Sequence, residues 1–342
     1  MDLADFQYRL PRNLIAQYPS RERDKSRLMV VHRDMGFIEH RTFCDLATYF
    51  NEGDVLVVND TKVLKARLSG RKETGGSVEI LITQRTGERT WRCIVKRARS
   101  IRHGSKVSFG DGFWGQFLGR DESGNWRIEF HFEGDFYDTI DRWGRMPLPP
   151  YIKREEPLPL DEKRYQTIFA TKPGSIASPT AGLHLTHALL ERIRQKGVSV
   201  LPITLHVNLG TFSPIRTKRV EDHEMAPEYF EIYPAVAEEI TMVKERRGRV
   251  VAVGTTTTRA LESAVDSSGK LAATAGYSDL FIHPPYPFRI VDALVTNFHL
   301  PGTTLLLLVS AFATGELIMK AYKEAIRNEY RFFSYGDAML IL

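Results

Sequence analysis

The sequence predicts a mixed α/β domain interrupted by a small antiparallel β-barrel, and three observations carry that prediction. Short, largely apolar runs such as DVLVV (54–58) and RVVAVG (249–254) have the texture of strands buried on both faces of a sheet, and amphipathic helices alternate with them. Between them the pattern changes to period two: Trp126, Ile128, Phe130 and Phe132 alternate with Arg127, Glu129 and His131, as half-buried antiparallel strands do. Because runs of the first kind stand on both sides of the alternating stretch, the barrel reads as an insertion. The expected division is a discontinuous α/β domain, residues 1–62 and 148–342, with an inserted β-barrel domain over 63–147.

Each element follows in turn. DVLVV ends at Asn59-Asp60, a turn signal. The segments SVEILITQ, RTWRCIVKRAR and NWRIEFHF supply barrel strands, and Asp111-Gly112 in FGDGFWGQF is a two-residue hairpin signal between two more. MPLPPYIKREEPLPL, with five prolines in residues 146–160, is an extended connector out of the barrel. THALLERIRQKG is an amphipathic helix closed by Gly197, VSVLPITLHV a strand, PAVAEEITMVKERRG a helix and RVVAVG a strand; TTTRALESAV starts another helix. The run Leu305–Val309 is too short to span a membrane, which takes about 20 apolar residues. It reads as a buried helix capped by Thr303 or Thr304.

At 342 residues the chain exceeds the usual size of a single core, so two domains are the natural expectation. Its net charge is +5, yet residues 71–106 hold ten Lys or Arg against three Glu, the local concentration expected of a phosphate-contacting surface. Only Cys44 and Cys93 are present, too few for a disulfide framework or a thiolate metal site. The opening MDLADFQYRLPRNL has no apolar signal core, which with the cysteine usage predicts a cytoplasmic protein.

Four loops concentrate small and polar residues where a strand or helix should turn. GSIASPTAGLHLT carries Ser178, Thr180, Gly182 and His184; LHVNLGTF carries His206, Gly210 and Thr211; VGTTTTRALES carries Thr255, Thr256, Thr257 and Arg259; VTNFHLPGTT carries Asn297 and His299. Any one of them is an ordinary capped turn or a satisfied core histidine. Four on one α/β framework point to a polar cleft at the ends of strands. His223 and Glu224 in VEDHEMAPEYFEI do not have the spacing of a zinc helix, so no metal site is expected.

Together NDTKVLKARLSG, GSIASPTAGLHLT, TLHVNLGTF, VGTTTTRALES, VTNFHLPGTTLLLLVSAFA and YRFFSYGDAMLI resemble the S-adenosylmethionine:tRNA ribosyltransferase-isomerases of queuosine biosynthesis, over the whole chain. The sequence departs from the family pattern at Asn208 and Pro285, where glycine is usual, and at Ala226, where histidine is. The resemblance implies transfer of the ribosyl part of S-adenosylmethionine to the aminomethyl group of a 7-deazaguanine at the tRNA wobble position, giving epoxyqueuosine, adenine and methionine. It implies no metal and no further cofactor.

Such chemistry needs a general base near the ribose 5′ carbon, for which His184, His206 and His299 are candidates, and a donor to the leaving adenine, for which Asn297 is suited. Thr180, Gly182, Gly210, Thr211 and Thr255 to Thr257 would hold the donor nucleoside, and Arg259 the methionine carboxylate. Lys62, Arg67, Arg92, Lys96, Arg97 and Arg99 would meet the tRNA, on a protein expected to be a monomer without membrane contact. An S-adenosylmethionine-dependent tRNA methyltransferase and a non-catalytic RNA-binding protein are the alternatives; the first lacks its usual glycine-rich loop, the second has no need of histidine-bearing loops.

Overall fold

The structure, a computed structural model, describes residues 1–208 and 215–342. Its large sheet draws strands from both ends of the chain. β1 (Arg27–His32), β2 (Phe37–Thr42) and β3 (Val55–Asn59) come before the barrel, and β4 (Thr61–Val63) leads into it. The barrel comprises β5 (Arg67–Lys72), β6 (Ser77–Arg85), β7 (Thr90–Lys96), β8 (Lys106–Gly110), β9 (Phe113–Arg120) and β10 (Trp126–His131), followed by helix α1 (Phe136–Trp143). After the connector come α2 (Pro159–Arg164), β11 (Lys172–Ser175), α3 (His187–Arg194), β12 (Ser199–Leu205), β13 (Glu228–Ile232) and α4 (Pro234–Glu245). The chain ends with β14 (Val250–Val253), α5 (Thr255–Ser263), β15 (Thr274–Ser278), β16 (Ala293–Asn297), α6 (Thr304–Phe312), α7 (Gly315–Arg327) and β17 (Ala338–Ile341).

The large sheet has the order β15-β13-β12-β3-β14-β16-β17-β1-β2. Its centre, β12, β3, β14 and β16, is parallel, whereas β17 returns antiparallel to β16. The apolar run Val55–Val58 is needed because successive side chains serve opposite faces: Val55 and Val57 join the core under α5, α6 and α7, and Leu56 and Val58 the core under α3. Helix α6 is the run Leu305–Val309, buried throughout and capped by Thr303, whose hydroxyl accepts from the Leu306 amide at 3.4 Å. Among the described residues no single helix is long and apolar enough to cross a membrane.

The barrel closes in the order β10-β7-β6-β5-β8-β9 around Trp91, Phe113, Phe117, Ile128 and Phe130. Asp111-Gly112 joins β8 to β9, with Gly112 at φ +71°, and Trp126, Ile128 and Phe130 point inward while Arg127 points out. Chain entry and exit meet where Arg67 and Arg145 exchange backbone hydrogen bonds of 3.2 and 2.9 Å. The period-two reading of this stretch passes over α1, whose Phe136 stacks on Trp91 at a centroid distance of 3.7 Å.

Candidate active site

The C-terminal ends of β3, β12, β14 and β16 lie along one edge of the sheet, and the loop before β17 reaches the same edge because Ala338 pairs with Asn297. There a cavity of about 580 Å³ is lined by Ser178, Thr180, Thr255, Thr256, Asn297 and His299 on its polar side. Tyr151, Phe298, Leu300, Leu305 and Phe333 give it an apolar wall. Aromatic walls with few polar groups are the ordinary composition of small-molecule sites.

Asn297, the last residue of β16, organises this cavity. Its Nδ2 donates to the Phe333 carbonyl at 3.2 Å, and its Oδ1 accepts from Thr180 Oγ1 at 3.1 Å, which fixes the orientation of the amide. The same Nδ2 lies 3.1 Å from His184 Nε2. His184 sits at the end of the turn Thr180–His184, stacked on Phe43 at 4.9 Å, with Nδ1 2.6 Å from Ser26 Oγ. Burial, then the Arg331 and Arg23 guanidinium groups, push its pKa down to about 3.

His299 lines the cavity itself. Its backbone is clamped by two tyrosines: its amide donates to Tyr322 Oη at 2.9 Å and its carbonyl accepts from Tyr8 Oη. Nε2 lies 2.8 Å from Thr296 Oγ1, and burial pushes the ring's pKa down to about 3. The imidazole is therefore neutral at physiological pH.

Thr255 and Thr256 face the cavity from the start of α5, which Gly254 makes possible by turning the chain at φ +97°. Ser178 is buried at the wall, its hydroxyl without a protein partner.

Other predicted residues lie elsewhere. His206 follows β12 outside the cavity lining; Nδ1 lies 2.8 Å from Thr61 Oγ1, the ring stacks on Tyr229, and burial pushes its pKa down to about 4. Thr257 donates back to the Val253 carbonyl at 2.7 Å, inside the helix. Gly182 lies in its turn with no room for a side chain, since a Cβ would stand 2.8 Å from Phe169. Gly210 and Thr211 lie outside the described residues.

Arg259 is 3% exposed and forms a 2.6 Å ion pair with Glu228, and it also donates to the carbonyls of Leu280 and Ser278. It fastens α5 to β13 and β15 instead of lining the cavity. Sequence shows a basic residue one turn into a helix, and only the fold supplies the acid from a distant strand.

Tyr151, Phe333 and Ser334 were missed as cavity residues. Phe333 and Ser334 stand in YRFFSYGDAMLI, where Phe333 adopts φ +70°, a conformation rare for a side-chain-bearing residue. Tyr151 stands in the proline-rich connector, where no local signal marks it; its hydroxyl lies 2.7 Å from Ser334 Oγ.

The basic residues on and beside the barrel divide by partner. Arg67 pairs with Glu79 at 2.7 Å and Arg92 with Asp121, whereas Lys62, Lys96, Arg97 and Arg99 are exposed, Lys96 also reaching Glu79 at 3.1 Å. Among the described residues no group of three His, Cys, Asp or Glu converges in the manner of metal ligands.

A mixed α/β sheet with a histidine-bearing cleft at its strand ends and a β-barrel set beside it defines a two-part, cleft-bearing enzyme. Comparison with known proteins then gives the family. A sequence profile described as "Queuosine biosynthesis protein" matches residues 3–341, and the chain belongs to that family. It is 50% identical over 344 residues to the S-adenosylmethionine:tRNA ribosyltransferase-isomerase of Pelotomaculum thermopropionicum, covering 100% of both chains. The protein of the same name from Halothermothrix orenii is 49% identical, again with 100% of both chains covered. Among solved structures, the S-adenosylmethionine tRNA ribosyltransferase of Thermotoga maritima matches with a TM-score of 0.56 at 36% identity, over 99% of this chain and 100% of that one.

Proposed function

We propose that the chain transfers and isomerises the ribosyl part of S-adenosylmethionine onto the aminomethyl group of 7-aminomethyl-7-deazaguanine in tRNA, giving epoxyqueuosine-tRNA with release of adenine and methionine. The full-length match to ribosyltransferase-isomerases at about half identity is the observation that carries this reading.

The cavity suits the donor. Its aromatic and aliphatic wall offers a surface for adenine, and Thr255, Thr256 and Ser178 offer hydroxyls to the ribose. The positive sulfur of the donor acidifies the neighbouring 5′ carbon, so a neutral imidazole beside it can take the proton. Of the three candidate histidines, His299 is assigned this role because it lines the cavity while neutral. Asn297 is assigned a contact with adenine through Oδ1, since the Phe333 carbonyl and His184 Nε2 take both of its amide protons, and His184 positions Asn297. His206 is left to support Thr61 and the strand edge.

The substrate amine supplies the attack, so no nucleophilic serine or cysteine is needed. The acceptor base enters the cleft by being splayed from the anticodon loop at the wobble position, as single-stranded loop bases commonly are when read by pockets. The inserted unit, residues 63–147, holds the RNA through Lys96, Arg97 and Arg99, with Lys62 just before it, and the protein acts as a cytoplasmic monomer.

Incubation of the pure protein with S-adenosylmethionine and tRNA carrying the aminomethyl-deazaguanine tests the assignment. Adenine and a matching mass gain on the tRNA are expected. S-Adenosylhomocysteine instead would make it a methyltransferase; a folded protein yielding neither product would reduce it to an RNA binder.

A further inference from the structure

Behind His184, away from the 580 Å³ cavity, lies a second cavity of about 250 Å³. Pro19, Ser20, Arg23, Arg164 and the Ser334–Gly336 segment line it, and His184 forms its inner wall. The two cavities share Ser334 and are joined by the His184–Asn297 hydrogen bond.

This cavity carries positive charge without a matching acid. Arg23 donates to the carbonyls of Leu183, Lys163 and Gln166 at 2.9 to 3.0 Å, and Arg164 to those of Ser20 and Arg21 at 2.7 and 3.1 Å. Carbonyls orient a guanidinium group but leave its charge unneutralised. Among the described residues neither arginine has a carboxylate within salt-bridge distance, and Arg164 Nε is buried with no partner at all. Arg331 approaches the same place, donating to Ser20 Oγ, but its charge is matched by an ion pair with Asp337 at 3.5 Å. The two unmatched guanidinium groups, Arg23 and Arg164, repel one another, and burial together with the Arg164 charge pushes the Arg23 pKa down to about 10.

We infer that the cavity bounded by Ser20, Arg23, Arg164 and His184 is an oxyanion site that takes a backbone phosphate of the RNA substrate. The inference rests on the tRNA reading above. A phosphodiester fits better than the amino-acid end of S-adenosylmethionine, because that end carries an ammonium group which the same guanidinium cluster would repel. A nucleotide whose base enters the cleft keeps its phosphates at the cleft's rim, and this cavity is one side chain away from that cleft. Arg331, Arg23 and Arg164 also depress His184, so a bound phosphate returns part of that ring's basicity and links RNA seating to the His184–Asn297 pair.

The test compares the full-length protein with Arg164→Gln and Arg164→Lys. Equilibrium binding of tRNA is measured across about 50 to 200 mM chloride, and S-adenosylmethionine binding is measured separately without RNA. Loss of one phosphate contact lowers the slope of log K against log salt by about 0.7 to 0.9. Arg164→Gln is expected to show that loss, Arg164→Lys to retain most of the slope, and both to bind S-adenosylmethionine as the wild type does.

An unchanged slope in Arg164→Gln, or weaker S-adenosylmethionine binding with RNA affinity intact, overturns the inference. Should Arg164→Gln not fold, inorganic phosphate serves as competitor on the wild type against chloride at equal ionic strength. Displacement of tRNA by phosphate beyond the chloride control supports the site, and equal displacement overturns it. Wild-type adenine release is followed alongside. A changed slope without adenine release sinks the reaction while leaving the anion site; release with an unchanged slope does the reverse, and a wild type that binds no tRNA sinks both.

Discussion

Asn297 Nδ2 stands 3.1 Å from His184 Nε2, and this contact decides which ring nitrogen carries the proton. An amide nitrogen can only donate, so Nε2 accepts. The proton therefore resides on Nδ1, which donates to Ser26 Oγ at 2.6 Å, and the serine hydroxyl passes on to the Arg23 carbonyl at 3.3 Å.

Replacing Asn297 by Asp turns that donor into an acceptor facing both Nε2 and the Phe333 carbonyl. Adenine release by Asn297→Asp is expected to fall by about 10²-fold or more, the scale of a mispositioned acid–base group, with KM for S-adenosylmethionine changed far less. Single-turnover assays separate the two, and a loss confined to KM would make Asn297 a binding residue only.

Acid stability follows from the three neutral histidines. His184 and His299 near 3 and His206 near 4 all lie below the ordinary value of 6.5, so between pH 6.5 and about 3 the unfolded chain binds protons that the folded chain refuses. The stability these rings contribute is complete above pH 6.5 and is lost as pH falls through that window. Urea midpoints measured from pH 7 to 4 should decline, and His299→Gln should flatten the decline; an equal slope in the variant would contradict the burial account of His299.

Gly174 packs directly against His206: a Cβ there would lie 2.5 Å from Nε2 and 2.6 Å from Cε1. Gly174→Ala is expected to push the ring off Thr61 and to destabilise the protein by about 1–3 kcal/mol. The double variant with His206→Ala should cost less than the sum of the singles, and strict additivity in thermal melts would show that the clash is not the cause.

On the barrel, Arg97 and Arg99 are exposed, whereas Arg67 and Arg92 are matched by Glu79 and Asp121. Reversing Arg97 and Arg99 together to Glu is expected to weaken tRNA binding and to shrink its salt dependence. Binding that is unchanged across salt concentrations would remove this surface from the RNA path.

The sequence by itself determined the fold class and its most strongly patterned elements, though not α1. DVLVV, RVVAVG and the Trp126–Phe132 alternation carry their periods locally, and each became the strand type its period demands. It also marked the loops that bring Thr180, Thr255, Thr256, Asn297 and His299 to one cavity, because glycine, threonine and proline punctuate strand ends wherever they occur. Only the tertiary structure decided how these residues divide their work. His299 faces the cavity, His184 lies behind it and His206 beside it; Arg259 turns away to Glu228; Tyr151 arrives from the connector. The physical reason is range. Hydrogen bonds, ion pairs and desolvation act across a few ångströms of space, and the partners that set each role here, such as Ser26 for His184 and Glu228 for Arg259, are 158 and 31 residues away along the chain.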